Sequence, residues 1–341
     1  MNLFINNLLN GLWFHNQNKL LLVFLLPISF LYFISIITVK LLYRLGILKR
    51  YVSKLPIIII GNITVGGNGK TPITIWLTKY ITEKYKIRVG VVSSGYNSQT
   101  TSPVLVNSNS TTKEVGDEAI ELYQALSNIA IIISGGNRID ATKKLEELNK
   151  CDLIIHDDGM QHYRLKSNLT IETNSKNSNE VMNLILPAGP YRDFNIGSFL
   201  EMHKNYITVS FNQNDNKNIY SFSYDLLIWD SKTNNVIELE KIIKLSENSI
   251  NLITSVANSE RIFNMLKKYF TTINHRSFPD HYRYNDEDVN FKNKNLVITT
   301  MKDYVKLSEL TDNQLYVLSN KVTPNNEFIN CLEKHLKEFL I

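Results

Sequence analysis

Residues 61 to 71, Gly-Asn-Ile-Thr-Val-Gly-Gly-Asn-Gly-Lys-Thr, combine the types needed to hold a polyphosphate. Gly66, Gly67 and Gly69 allow backbone N–H groups to turn inward around phosphate oxygens, and Thr64 and Asn68 complete the loop. Lys70 would reach the β- and γ-phosphates, and the Thr71 hydroxyl would bind Mg²⁺. The strict G-x-x-x-x-G-K-[ST] pattern is broken at its first glycine, where Thr64 stands. Context restores the signal. The apolar run 56–62 (PIIIIGN) reads as a buried strand, and Pro72 suits the first turn of a helix opening near Thr71.

Such a loop needs carboxylates opposite it. Asp157 and Asp158 close an apolar strand, 152–156, and two adjacent carboxylates are rarely buried without a cation to offset their repulsion. Either could hold Mg²⁺ directly or through water. Asp117 and Glu118 precede a second helical segment. By position alone, Asp117 fits an N-cap as well as a catalytic base. His281, Arg192 and Lys302 are equally open between structural and chemical roles.

The elements that must position these groups alternate between strand and helix, which predicts a largely parallel sheet covered on both faces. Further strands are expected at 87–93, 129–134 and 152–156, and helices at 118–126 and 138–149. The polar stretch 212–218 precedes two short alternating segments, 219–224 and 226–229, read as a β-ribbon linker. Beyond it lie a strand at 251–255, a helix at 260–268, a strand at 296–300 and an amphipathic helix at 327–339. The fold class is α/β: a P-loop NTPase-like core over 46–211, a linker over 212–245 and a smaller second α/β lobe over 246–341. An N-terminal membrane helix lies within 1–45.

That helix rests on residues 20–39, which carry no charge between Lys19 and Lys40. The length matches the roughly 20 residues that cross a bilayer. Lys40, Arg44, Lys49, Arg50 and Lys54 follow it, which puts the rest of the chain on the cytoplasmic side. Whether the segment crosses or lies in one leaflet is open. With 341 residues, 43% hydrophobic and 20% charged, the chain is globular rather than disordered. A net charge of +5 suits an anionic membrane surface and does not argue for nucleic acid. Two cysteines, Cys151 and Cys331, exclude a cysteine-built zinc site and a disulfide framework.

Taken in order, GNITVGGNGKTP (61–72), VGDE (115–118), DDGMQHYRL (157–165), LPAGPYRD (186–193), FPDH (278–281) and TTMKDYVKL (299–307) resemble the tetraacyldisaccharide 4'-kinase family of lipid A biosynthesis. The resemblance implies transfer of the ATP γ-phosphoryl group to the 4'-hydroxyl of an acylated disaccharide 1-phosphate lipid. It places the enzyme on the cytoplasmic face of the bacterial inner membrane, among anionic inner-leaflet lipids and with no nucleic-acid partner. ATP and Mg²⁺ are the expected ligands. Carried onto this chain, it makes Asp117 the base, assisted by His281, with Lys70 and Thr71 on nucleotide and metal. Asp157 and Asp158 organise the metal, and Glu118, Gln161, Arg192 and Asp193 line the site. The chain departs from the family at Ser94, where an arginine is usual, and at His156, where a small or apolar residue is common. Two other readings are a nucleotide-dependent switch and a nucleotide-binding protein with a dead site. The first lacks a guanine-reading block, and the second conflicts with the intact Lys70, Thr71, Asp117, Asp157 and Asp158.

Overall fold

The computed structural model describes residues 9, 11–13, 20–66, 69–96, 98–174, 183–194, 202, 205–210, 220–233, 235–256, 259–279, 282–311 and 313–340. Helix α1 spans Leu20–Arg44, with Pro27 inside it. It is followed by β1 (Ile57–Gly61), α2 (Lys70–Tyr85), β2 (Val89–Ser93), β3 (Val104–Leu105), α3 (Thr112–Val115) and α4 (Asp117–Leu126). Next come β4 (Ala130–Ser134), α5 (Arg138–Leu148), β5 (Leu153–Asp157), β6 (Leu169–Asn174) and β7 (Tyr206–Ser210). The chain continues through β8 (Tyr220–Asp230), β9 (Val236–Ile237), α6 (Leu239–Leu245), β10 (Ser249–Thr254), α7 (Ser259–Leu266) and β11 (Thr272–Ser277). It ends with α8 (Asp286–Val289), β12 (Leu296–Thr300), α9 (Met301–Leu307), β13 (Leu315–Pro324) and α10 (Asn326–Leu340).

The strands run in the order β11-β10-β12-β13-β8-β7-β6-β1-β5-β2-β4-β3, with β9 on β8. The four isoleucines of β1 explain its central place. They are fully buried, and they alternate between two cores. Ile58 and Ile60 meet Ile73, Leu77 and Ile81 of α2, while Ile57 and Ile59 meet Ala141 and Leu145 of α5. A strand buried on both faces reads as a continuous apolar run, and its neighbours β5 and β6 are parallel to it. Cys151 packs in the α5-side core, where burial pushes its thiol up to about 11, consistent with a packing role.

Two sequence expectations change here. The segments read as a two-stranded ribbon form the single long strand β8, because its residues continue one antiparallel ladder with β13 from Asp230 to Phe222. The strand also pairs in parallel with β7, so the sheet runs on from one lobe into the other. The second change concerns the amphipathic helix near the C-terminus. Its buried face, Phe328, Leu332 and Leu336, belongs to the same core as α2 rather than to the second lobe. Phe328 lies 4.8 Å from Phe222 and 5.9 Å from Trp76, ring centre to ring centre. Trp76 is on α2, the helix that begins with Lys70. Tyr80 and Lys84 of the same helix both hold Glu333 of α10.

Among the described residues, α1 is long and apolar enough to cross a membrane, with a mean hydropathy of 2.7 and little of it buried. Leu20, Phe24, Phe30 and Leu31 stand exposed along it. An apolar face of that extent suits hydrocarbon rather than water. The Phe328→Ala variant is expected to lose about 3–5 kcal/mol in chemical denaturation, since a fully buried aromatic leaves a cavity among rings that cannot collapse. A loss below about 1 kcal/mol would show that α10 is not part of this core.

Candidate active site

Parallel register brings the charged groups together. Ile60 of β1 lies beside Asp157 of β5, so the carboxylate ends its strand next to the turn that leaves β1. That turn reaches α2 through Gly69, held at φ +71°, a left-handed conformation that glycine adopts at little cost. Thr71 Oγ1 donates to Asp157 Oδ2 at 3.2 Å, and Thr74 Oγ1 donates to Oδ1 at 3.1 Å. Lys70 Nζ lies 3.6 Å from Asp158 Oδ2 and donates to Asn62 Oδ1 at 3.2 Å. Lysine, threonine and both aspartates therefore cluster at the N-terminal end of α2.

The two aspartates differ in charge environment. Burial pushes Asp157 above the usual carboxylate range, with Glu118 adding to it and Lys70 opposing. Asp158 is also buried, but Lys70 and Arg192 outweigh that cost and hold it below the usual range. Arg192 supplies a two-pronged contact, Nη1 to Oδ2 at 3.3 Å and Nη2 to Oδ1 at 3.2 Å. It also donates to the Asn62 carbonyl at 3.1 Å, which accepts from Gln161 Nε2 at 2.8 Å as well. The carbonyls of Asp157 and Asp158 both accept from Arg138, whose guanidinium is buried under the turn. The hydroxyls on Asp157 and its own carboxylate form a hard oxygen set, where Lys70 offsets only part of the cost of burial.

Gly116 occupies the cap position of α4 at φ +86°, where a Cβ would sit 2.8 Å from the Tyr96 carbonyl. Asp117 is thus the first helical residue rather than the N-cap, and its Oδ1 accepts from the Glu118 N–H at 3.1 Å. A carboxylate there is favoured by the helix dipole. Glu118 is met from two directions: Ser94 Oγ at 3.3 Å, and Lys302 of α9 at 3.7 Å. Ser94 thus reaches Glu118 as a neutral donor, and the cation at this carboxylate arrives from the second lobe. One turn on, burial pushes Glu121 up to about 8, with Lys302 opposing and Glu118, Asp157 and Asp117 adding.

In the second lobe Asp303 is fully buried and accepts from the Ser255 N–H at 2.9 Å, Thr300 Oγ1 at 2.8 Å and Tyr284 Oη at 3.0 Å. Phe278 packs on Tyr282 and Tyr284, 4.5 and 5.3 Å between ring centres. Phe278 and Tyr282 flank His281 in sequence. His281 itself lies outside the described residues, as do Gly67 and Asn68 of the loop.

Asp193 departs from the expectation that it lines the site. It is buried against Lys40 of α1, at 2.6 Å, because that ammonium needs a counter-charge inside the fold. His156 is also no part of the cluster. It is buried against Thr142 Oγ1 at 3.1 Å, and burial holds its pKa well down, so the ring is neutral. Sequence reasoning missed Asn62, Thr74 and Arg138 as parts of the site. Asn62 could have been found from its place directly after β1; Thr74 and Arg138 have no local signal.

A buried strand, a glycine turn opening a helix with lysine and threonine, and aspartates on the neighbouring strand end define a P-loop nucleotide-binding fold of the kinase type. A model of the tetraacyldisaccharide-1-P 4'-kinase family matches residues 21–337, and the chain belongs to that family. It is 36% identical over 309 residues to the tetraacyldisaccharide 4'-kinase of Wigglesworthia glossinidia brevipalpis, covering 88% of this chain and 80% of that one. The corresponding protein of Pseudoalteromonas translucida is 33% identical over 322 residues, 94% of each chain. The crystal structure of LpxK from Aquifex aeolicus in complex with ATP is similar in fold, with a TM-score of 0.76 at 24% identity, over 94% of this chain and 100% of that one.

Glu121 gives a pH test. Its folded pKa of about 8 lies above the ordinary 4.5, so between those values the folded state holds a proton that the unfolded state has released. Stability therefore declines as pH rises through that window. Relative to the parent, nucleotide-free Glu121→Gln should melt progressively higher as pH goes from about 5 to about 8. A difference that does not change with pH would remove Glu121 as the cause.

Proposed function

We propose that the chain transfers the γ-phosphoryl group of ATP to the 4'-hydroxyl of a tetraacyldisaccharide 1-phosphate, a step of lipid A biosynthesis. The observation that carries this reading is the cluster in which Lys70, Thr71, Asp157, Asp158 and Arg192 are in contact at the N-terminus of α2. Residues 64–71 cradle the phosphates with backbone N–H groups, and the helix terminus adds about half a positive charge. Lys70 exchanges its contacts to Asp158 and Asn62 for phosphate oxygens.

The Thr71 hydroxyl and the carboxylates of Asp157 and Asp158 fit Mg²⁺. They are hard oxygens, and Asp157 is buried with its charge disfavoured until a cation arrives. One or two carboxylates and substrate phosphates are what this ion usually takes. When bound, it neutralises charge building on the transferring phosphoryl group. Arg192 holds Asp158 in place and brings a second positive charge to the cluster. Gln161 fixes the Asn62 carbonyl and, through it, the start of the loop.

Asp117 is the proposed base. The new bond joins the γ-phosphorus to the sugar 4'-oxygen as the bond to the β,γ-bridging oxygen breaks, and the hydroxyl proton passes to the Asp117 carboxylate. Glu118 stands beside it under Lys302, and His281, from the second lobe, is the proposed assistant of Asp117. Phosphoryl transfer asks for alignment more than for strong deprotonation, and alignment can contribute on the order of 7–11 kcal/mol. The exposed apolar face of α1 suits an enzyme that meets a four-chain lipid at the cytoplasmic surface of the inner membrane, beside anionic headgroups.

Labelled γ-phosphate should pass from ATP to the purified disaccharide precursor; a protein that binds ATP but labels no lipid would sink the proposal. Asp117→Ala should lower turnover about 10²- to 10⁴-fold and leave ATP affinity within roughly threefold, the range of general-base removal. Unchanged turnover excludes Asp117 as the base. Chelation of divalent cations should abolish transfer, and added Mg²⁺ should restore it.

A further inference from the structure

A helix that served only as an anchor would carry its last lysines at the membrane surface, with their ammonium groups reaching for water. Lys40 does the reverse. It is 3% exposed, and its Nζ lies 2.6 Å from Asp193 Oδ1 and 2.7 Å from the Phe194 carbonyl. The rings of Tyr163 and Phe194 flank it at 5.3 and 4.9 Å. A buried ammonium is tolerated only with such compensation.

The other contacts of α1 fall on the same short stretch of chain. Ser29 Oγ accepts from the Ala188 N–H at 2.8 Å, Tyr32 Oη donates to the Arg192 carbonyl at 3.0 Å, and Phe33 stacks on Phe194 at 4.7 Å. Trp13, upstream of the helix, donates to the Pro187 carbonyl at 3.0 Å. Positions 29, 32, 33, 36 and 40 repeat at helical spacing, and Ser29, Ile36 and Lys40 are the buried residues of α1. This face is built for residues 187–194, and the opposite face is left for lipid.

The other side of that stretch grips the phosphate loop. The Val65 N–H donates to the Pro190 carbonyl at 2.8 Å, and the Arg192 N–H donates to the Ile63 carbonyl at 2.7 Å. Thr64 and Tyr191 form an antiparallel bridge. Arg192 then spends its guanidinium on Asp158 and Asn62. Residues 187–194 are thus a strap with the membrane helix on one side and the phosphate loop on the other.

We infer that Lys40 is a positioning residue of the nucleotide site, which it holds through Asp193 and the strap that carries Arg192. The inference rests on the assignment of that cluster to ATP. With the Lys40–Asp193 pair intact, the backbone of Arg192 is fixed from both faces and its side chain stays on Asp158. Without it, the strap loses its ionic hold at the residue next to Arg192. A misplacement of about 1 Å in such a contact can cost up to roughly 10²-fold. The helix therefore acts on ATP binding as well as on access to lipid.

The test uses the full chain in detergent micelles, with a fluorescent ATP analogue for affinity, the lipid KM, vesicle flotation and a thermal melt. Lys40→Met and Asp193→Asn are each expected to weaken ATP-analogue binding by roughly tenfold, with lipid KM and flotation within about twofold of the parent. Unchanged ATP affinity in variants that still melt cooperatively overturns the inference, whatever the lipid KM does. Should either variant fail to melt cooperatively, Tyr32→Phe decides. That change removes one hydrogen bond to the strap and no charge. Weaker ATP binding by about twofold or more supports the coupling, and parental affinity overturns it. A parent protein that does not bind the analogue would sink the ATP reading itself, a separate outcome from a parent and variants that bind alike.

Discussion

Two neighbouring carboxylates at the end of a buried strand impose the constraint from which the rest of the site follows. Their mutual repulsion and their desolvation must both be offset. On Asp158 this is done by Lys70 and Arg192, with Arg138 under the turn; Asp157 is bonded by two hydroxyls, and Lys70 offsets only part of its burial cost. The asymmetry leaves one carboxylate satisfied and the other wanting a cation. On the proposed reading, this cluster suits a metal and a polyphosphate, because each brings what the other, and the protein, lack.

The sheet delivers this arrangement. Parallel pairing of β1 with β5 fixes which residue ends beside the loop, and a slip by one residue would turn Asp157 into one of the cores. Continuation of the sheet through β8 then ties the second lobe to the first. The return of α10 onto α2 joins them a second time, at the helix that begins with Lys70. Lys302 and Glu118 meet across the cleft between the lobes, so Asp117 sits in a region that both lobes build.

Arg192 connects that chemistry to the apolar helix α1. Its side chain belongs to the phosphate site, its backbone is paired with the loop, and its carbonyl is held by α1. An apolar helix with one polar, buried face is the form expected of an element that meets protein on one side and exposes apolar side chains on the other. The substrate class implied by the family, a lipid with a sugar head, needs its acceptor hydroxyl brought to ATP at the bilayer surface.

Local order in the chain settled a good deal. The isoleucine run of β1, the glycines and Lys-Thr that follow it, and the acidic pair closing β5 are contiguous signals, written in residues that are neighbours in sequence and in space. Helix ends at Lys70, Arg138 and Leu126 fell within a residue of what periodicity indicated. The strands at 169–174, 206–210, 272–277 and 315–324 were not read, since short runs with mixed polarity carry no period strong enough to separate them from turns. The ribbon became one strand because its partner, β13, lies about a hundred residues away and supplies the ladder. Asp193 looked like a site residue from its place beside Arg192, yet its partner is Lys40, and the adjoining Phe194 carbonyl is bonded by that lysine across 154 positions. Charge compensation in a folded protein depends on distance through space, and a linear sequence records only distance along the chain. The strand, the glycine-rich turn and the Lys-Thr pair that opens α2 were therefore legible in sequence alone, and the partners that hold Lys70, Thr71 and the aspartates were decided by tertiary structure.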